Sequence, residues 1–206
     1  MDADRRHLVI FARTPAFGVG KRRLAAGIGE LATLRFQRFM LADLRRRLGR
    51  DRRWRTWLAL TPDRDGRGRS NSLPQGGGDL GQRLRRLLAT LPPGPVVVIG
   101  SDTPGVTPAD IASAFQALGA ADAVVGPALD GGYWLIGLRR TPRRIDPFDG
   151  VRWSTADALA DTLANLKRRP VARLRTLEDI DDHQSFKRSR LYREPWEDRG
   201  VRPQPV

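Results

Sequence analysis

The chain has 206 residues, no cysteine and a formal net charge of +14, from 37 Lys and Arg against 23 Asp and Glu. The length suits one domain with a core of its own, and the missing cysteines exclude a disulfide framework and any thiolate metal site. Hydrophobic residues at 40% exclude a chain disordered throughout, and no apolar run approaches the eighteen or so residues of a membrane span. The opening MDADRRH lacks the apolar stretch of a signal peptide, so a cytoplasmic protein without a transmembrane segment is expected. The positive charge raises nucleic acid as a partner, but the arginines are scattered along the chain and no nucleic-acid-binding motif is visible. A surface that attracts phosphorylated substrates or acidic lipid headgroups fits the charge equally well, and nucleic acid is not the expected partner.

Strand and helix patterns alternate along the chain. HLVIFA (7–12) reads as a buried strand closed by a turn signal. Residues 30–48 carry apolar side chains at helical spacing and end at Gly49, a C-terminal cap. WRTWLAL (54–60) reads as a strand, 64–78 as a Gly- and Ser-rich loop, and 79–91 as a helix stopped by Pro92-Pro93. PVVVIG (95–100) is the clearest strand, a β-branched run of the kind found in central parallel strands. The helix over 107–118 has Thr107 to cap it, Pro108 in its first turn and Asp110 three residues after the cap. ADAVVGP (121–127) and GYWLIGL (132–138) read as strands. Ser154 with Asp157 predicts a capped helix running to about 168, VARL (171–174) a short strand, and 177–186 the lead into a terminal helix. The domain is expected to end at 193, with 194–206 a loose tail rich in proline. Such alternation implies a mostly parallel sheet with helices on both faces. Ligands of such folds bind at the C-terminal ends of the strands.

Three post-strand loops therefore matter most. The first is FARTPAFGVGKRRLA, whose Gly-Lys suggests a phosphate cradle. It is not a P-loop: Pro15 stands where the first glycine belongs, and Arg22 where the magnesium-binding hydroxyl belongs. It still gathers Arg13, Lys21, Arg22 and Arg23 in a loop broken by Gly18 and Gly20; a solvated basic loop is the alternative. The second is GSDTP (100–104). Asp102 at the end of a buried strand suits a hard divalent cation shared with substrate phosphates, or simply caps the following turn. The third is GPALDGGYWLIG (126–137), where Asp130 precedes two glycines and two aromatics. The aromatics suit stacking on a sugar or base, or packing in the core, and Asp-Gly between apolar runs is also an ordinary hairpin turn.

Taken together, FARTPAFGVGKRRLA, GGGDLGQRL, VVVIGSDTPGVTPADIASAFQAL, VVGPALDGGYWLIGL, VRWST and LEDIDD, in that order, resemble the bacterial DUF2064 family of small glycosyltransferase-like proteins, the selenodomain-associated transferase 1 type. That family is similar in turn to molybdenum-cofactor nucleotidyltransferases and 2-phospholactate guanylyltransferase. The resemblance spans about residues 8 to 185 and implies a single-domain GT-A fold, a Rossmann-like three-layer α/β/α sandwich with a mostly parallel sheet, binding an activated nucleotide and one Mg²⁺ or Mn²⁺ ion.

Carried onto this chain, the resemblance implies that Arg13, Lys21 and Arg23 grip the nucleotide phosphates and that Gly81 lies near the base or ribose. It makes Asp102 the metal aspartate, with Asp181 a second carboxylate near the ion. Asp130 would face the acceptor or the transferred group, with Gly131, Gly132 and Tyr133 shaping that pocket and Trp153, Ser154 and Thr155 closing the acceptor side. Two departures stand out. The family's Lys-Thr-Arg-Leu is Lys21-Arg22-Arg23-Leu24 here, and its Asp-Thr-Pro-Glu-Asp is Asp181-Asp182-His183-Gln184-Ser185.

The chemistry implied is transfer from an activated nucleotide to a small-molecule or lipid-linked acceptor. The donor is a nucleotide sugar, with a glycosyl group moving; the alternative is a nucleoside triphosphate, with a nucleotidyl group moving and pyrophosphate leaving. A non-catalytic nucleotide-binding protein is the reading from a different class. With only His7 and His183 present, no histidine-based metal site or catalytic triad is expected.

Overall fold

The computed structural model describes residues 6–66, 68, 70–140, 145–189 and 191; the tail expected over 194–206 lies outside them. Seven strands form one sheet in the order β3-β2-β1-β4-β6-β5-β7. They are β1 (His7–Arg13), β2 (Arg55–Thr61), β3 (Ser72–Pro74), β4 (Val96–Gly100), β5 (Ala123–Pro127), β6 (Tyr133–Leu138) and β7 (Val171–Arg173). All pairings are parallel except those of β6, which runs antiparallel to both β4 and β5. The helices are α1 (Arg22–Ile28), α2 (Glu30–Leu48), α3 (Leu80–Thr90), α4 (Pro108–Ala117), α5 (Ala158–Asn165) and α6 (His183–Arg188). The fold is the α/β sandwich that the alternation implies.

Strand side chains alternate between the two faces, and the core divides accordingly. Leu8, Ile10, Val97 and Ile99 pack under α2 and α4 against Leu44, Leu48, Ile111 and Phe115. Val9, Val96, Val98 and Ile136 pack on the other face against Leu84 and Leu87 of α3 and Leu166 beyond α5. A third cluster joins Leu24 of α1, Phe36 and Met40 of α2, and Ile180 and Phe186. Among the described residues no helix is long and apolar enough to cross a membrane.

Several local expectations are met by identifiable contacts. Thr107 and Asp110 form a reciprocal capping box at α4, and Asp79 with Gln82 forms another at α3. α2 ends at Gly49, whose backbone N–H bonds Arg45 O, but Gly49 stays right-handed, with φ −74°, rather than taking the left-handed cap conformation.

Others are corrected. The loop expected over 64–78 contains the 3-10 turn Asp63–Gly66 and β3, an edge strand too short for periodicity to register. Ser154 is not a cap: its φ is +62°, and α5 starts three residues beyond the expected point, after Asp157, which makes no capping bond. Trp134 is core, 1% exposed, lying on the face of Gly126 and donating its indole N–H to Arg175 O at 3.1 Å. His7 is equally buried. Its Nδ1 accepts from Trp57 Nε1 at 3.0 Å and its Nε2 lies 3.1 Å from Pro93 O, so the neutral ring is held between an indole and a carbonyl.

Candidate functional site

The C-terminal ends of β1, β2 and β4 open into a cleft of about 540 Å³. Its walls include Arg13, Lys21, Arg22, Arg23, Gln75 and Asp102, and Asp181 reaches it from the segment before α6. Five sequence-predicted residues, Arg13, Lys21, Arg23, Asp102 and Asp181, thus meet in one depression. Arg83, one turn into α3, adds a further cation to the wall.

Lys21 forms the centre of this arrangement. It precedes α1 in the left-handed conformation, φ 44° and ψ 42°, which a non-glycine residue adopts at a cost. That backbone turn aims a side chain only 6% exposed at three oxygens. Its ammonium lies 3.0 Å from Asp102 Oδ2 and 2.9 Å from Asp181 Oδ1, and it donates to the carbonyl of Ile180. Burial works to lower the lysine pKa, but the charges and hydrogen bonds of Asp102 and Asp181 outweigh it and hold the pKa above its ordinary value. Arg23 Nη2 stands 4.0 Å from Asp181 Oδ2 at the exposed rim.

One segment fastens the two sides of the site. Leu177 N donates to Pro127 O, Leu177 O accepts from Leu129 N, and Ile180 N donates to Asp102 O. Residues 177–182 therefore run from the β5–β6 turn to the loop after β4. Beyond them Asp182 caps α6 through a capping box with Ser185, and His183 packs against Gly27 of α1. A Cβ on Gly27 would come within 2.4 Å of the His183 Cβ, so the missing side chain at Gly27 makes room for His183.

The acceptor-side residues lie next to this strap. Asp130 and Gly131 form the β5–β6 hairpin turn, and Asp130 Oδ1 accepts from Gly132 N at 2.9 Å. Asp130 is exposed and does not line the cleft, so the ordinary hairpin reading of Asp-Gly holds locally. Gly131, at φ +86°, is required: a Cβ there would sit 2.2 Å from Ala156 O. The 151–157 loop thereby presses on the turn, and Tyr133 meets Trp153 edge-on with ring centroids 6.5 Å apart. Burial pushes the Tyr133 hydroxyl up to about 12, with the Thr162 hydroxyl working against that rise. Ser154 and Thr155 are exposed on the same loop. Gly81 does not line the cleft. It is buried, and a Cβ there would sit 3.1 Å from both Phe148 O and the Trp153 indole, so its absent side chain makes room for that ring.

Two residues of the site escape the motif reading. Asp179 accepts from the Thr103 hydroxyl, and burial pushes its carboxyl up to about 6, with the charges of Asp102, Asp130 and Asp181 adding to the rise against that hydrogen bond. Its only sequence signal is its place inside LEDIDD. Gln75, fully buried just after β3, is held on all sides. Its amide N–H and that of Gly76 donate to Asp63, its carbonyl accepts from Arg86 at 2.7 Å, and its Nε2 donates to Ala12 O and Ala59 O at 2.8 and 2.7 Å. Those two carbonyls fix which end of the amide is nitrogen, and Oε1 is left buried with no hydrogen-bond partner among the described residues. A buried acceptor without a partner costs about 1–3 kcal/mol and calls for an explanation.

Among the described residues no three carboxylates or histidines form a ready metal cage. The donor set nevertheless suits a hard cation: Asp102, Asp181 and the Ile180 carbonyl already converge on one positive charge, the ammonium of Lys21. Magnesium commonly takes one or two carboxylates and completes its shell with phosphate oxygens and water.

Comparison with known proteins shows the family and the fold. Residues 43–155 match the family described as uncharacterized protein conserved in bacteria, DUF2064. No curated protein matches the sequence. A crystal structure from Desulfovibrio desulfuricans G20, provisionally named a nucleotide-diphospho-sugar transferase, superposes with a TM-score of 0.79 at 26% identity, over 94% of this chain and 92% of that one. The structure of 4-diphosphocytidyl-2C-methyl-D-erythritol synthase from Anaerococcus prevotii DSM 20548 gives a TM-score of 0.58 at 11% identity, covering 93% and 99% of the two chains. Rv0371c from Mycobacterium tuberculosis H37Rv, in complex with manganese, gives 0.50 at 19% identity, covering 90% and 97%. The fold is therefore that shared by nucleotide-diphospho-sugar transferases and nucleotidyltransferases.

Proposed function

The chain belongs to the DUF2064 family, and on that premise we propose that it is a metal-dependent transferase that takes its group from an activated nucleotide, with a nucleotide sugar as the donor and glycosyl transfer as the reaction. The observation that supports this most directly is the meeting of Arg13, Lys21, Arg23, Asp102 and Asp181 in one cleft at the strand ends.

Each residue has a task in this reading. Arg13 and Arg23 bind phosphate oxygens at the cleft wall. Lys21 leaves the carboxylates for the phosphates when the donor enters, and its charge stabilises the leaving group as negative charge develops there. Asp102 and Asp181 would hold Mg²⁺ or Mn²⁺, which supplies Lewis-acid charge at the phosphate oxygens; the manganese complex of Rv0371c supports that choice of ion. Asp130 orients an acceptor hydroxyl and holds its proton at the carboxylate. Gly131, Gly132, Tyr133, Trp153 and Ser154 shape the acceptor side.

Nucleotidyl transfer from a nucleoside triphosphate is the second reading. The number of cations in the cleft favours it, since Arg13, Lys21, Arg22, Arg23 and Arg83 suit a triphosphate and departing pyrophosphate as well as a diphosphate.

A thermal-shift panel of the four nucleoside triphosphates and common nucleotide sugars, each with and without Mg²⁺ or Mn²⁺, tests the proposal. A ligand that binds only the folded state raises the midpoint with the logarithm of its saturation. A metal-dependent rise with one nucleotide sugar is expected. A rise with a triphosphate alone, together with pyrophosphate as product, favours the second reading. No rise with any compound overturns both readings.

A further inference from the structure

A second depression opens beside the cleft, between the first turn of α3, the end of β4 and the start of β6. It measures about 110 Å³, and its walls include Phe11, Leu80, Leu84, Ile99, Tyr133 and Ile136. None of its lining residues carries a charge. It shares Phe11 and Gly100 with the nucleotide cleft, so the two spaces lie side by side at the ends of β1 and β4. Its far wall is Tyr133, whose ring meets Trp153, the tryptophan seated on Gly81. The depression thus lies between the candidate metal aspartate and the acceptor-side aromatics.

Its chemistry restricts its occupant. A hydroxyl-rich group would lose hydrogen bonds to water and find few replacements on these walls. An apolar group would lose nothing and release water. Leu80 sharpens the point. It is the first residue of α3 and is 37% exposed. A leucine standing at the mouth of an apolar space is explained when something apolar enters past it. A cavity of about 150 Å³ accepts benzene, so this one scales to a group of about four carbons.

We propose that this depression is the binding site for a compact, branched or short aliphatic group of the acceptor, seated so that the acceptor oxygen reaches the Gly100–Asp102 corner of the cleft. The proposal rests on the activated-nucleotide reading and adds the acceptor's chemical class. A polyol acceptor, or the sugar of the donor itself, is the competing occupant.

The test is amide chemical-shift mapping on the ¹⁵N-labelled full chain, titrated separately with 3-methylbutan-1-ol and glycerol. The alcohol is expected to move the amides of Leu80, Leu84, Gly100 and Tyr133, and to bind at least tenfold more tightly than glycerol. Leu80→Phe, which narrows the mouth from a half-exposed position, should weaken the alcohol at least tenfold. Equal binding of glycerol at these amides overturns the proposal, as does an unchanged alcohol affinity in Leu80→Phe. Shifts that fall instead around Ala89 and Ile145, at the depression beside Arg85 and Arg140, also overturn it. Should Leu80→Phe fail to fold, Leu80→Ala widens the mouth and should admit hexan-1-ol at least tenfold better than the parent; an unchanged chain-length preference counts against the site. Titration of the same sample with nucleotides reads at Arg13, Gly20 and Lys21, so failure of nucleotide binding is seen separately from failure of the apolar site.

Discussion

Lys21 Nζ and Asp102 Oδ2 lie 3.0 Å apart, with Asp181 closing the same ammonium from the other side at 2.9 Å. The lysine therefore stands where a metal ion would share those carboxylates. Any divalent ion that binds without nucleotide has to displace a tethered cation first. A donor's phosphates give the lysine another place to go. Metal and donor should consequently bind as a pair. In Lys21→Met, manganese affinity in the absence of nucleotide should rise at least tenfold, while donor affinity falls. Electron paramagnetic resonance titration of free Mn²⁺ reads the first effect. Unchanged or weaker manganese binding would rule out this competition.

Asp102→Asn keeps the side chain's size and removes its charge. Turnover should fall by orders of magnitude with the fold intact, as judged by circular dichroism and the thermal midpoint. A variant with near-normal activity would remove Asp102 from the proposed metal site.

The carboxyl of Asp179 gives a pH signature. Its folded pKa is about 6 against an ordinary 3.8. The folded protein therefore keeps a proton that the unfolded chain has already lost. This contribution to stability is fully present below about 4 and disappears as pH rises through about 6, on the order of 2–3 kcal/mol in all. Asp179→Asn keeps an oxygen for Thr103 and abolishes the titration. It should be the more stable protein at pH 8, with a flatter urea midpoint between pH 4 and 6. A parallel pH dependence in both proteins would contradict the assignment.

Gly131 tests the seam between the hairpin turn and the 151–157 loop. Gly131→Ala places a methyl against Ala156 O at a left-handed backbone position and should cost about 1–3 kcal/mol in urea unfolding. Gly132→Ala meets only the terminal atoms of Asp130, at 3.1 Å, and should cost less. Equal costs would show that the contact with Ala156 yields freely.

The sequence was most legible where one force dominated. The run Val96–Ile99 has no alternative to a buried strand, and the apolar spacing over 30–48 gives α2 to the residue. Thr107 and Asp110 announced α4 because a capping box is a local, two-residue device. Legibility failed where tertiary contacts decide. α1 begins inside a basic loop after two glycines and is held by Leu24 in the third core cluster, a contact invisible to periodicity. β3 exists because β2 offers it an edge. Ser154 and Asp157 had capping spacing, but the contact of Ala156 with Gly131 fixes that loop differently. Within the site, the cationic loop and Asp102 could be read from motifs. Gln75 and Asp179 could not, because what marks them is burial and the state of their partners.

The reversal of β6 has a consequence for how such a molecule diversifies. The connections from β1 to β2 and from β3 to β4 run through helices, so altering either means rebuilding a helix and its packing. β5 and β6 are joined by a five-residue turn, 128–132, at the same edge of the sheet as the cleft. The tip of that turn, beyond its bonds to Leu177 and its contact with Ala156, can be exchanged without rebuilding a helix. The molecule is in effect a fixed grip with an exchangeable jaw, and variation among its relatives, or in a designed library, should concentrate at that turn and the 151–157 loop that leans on it.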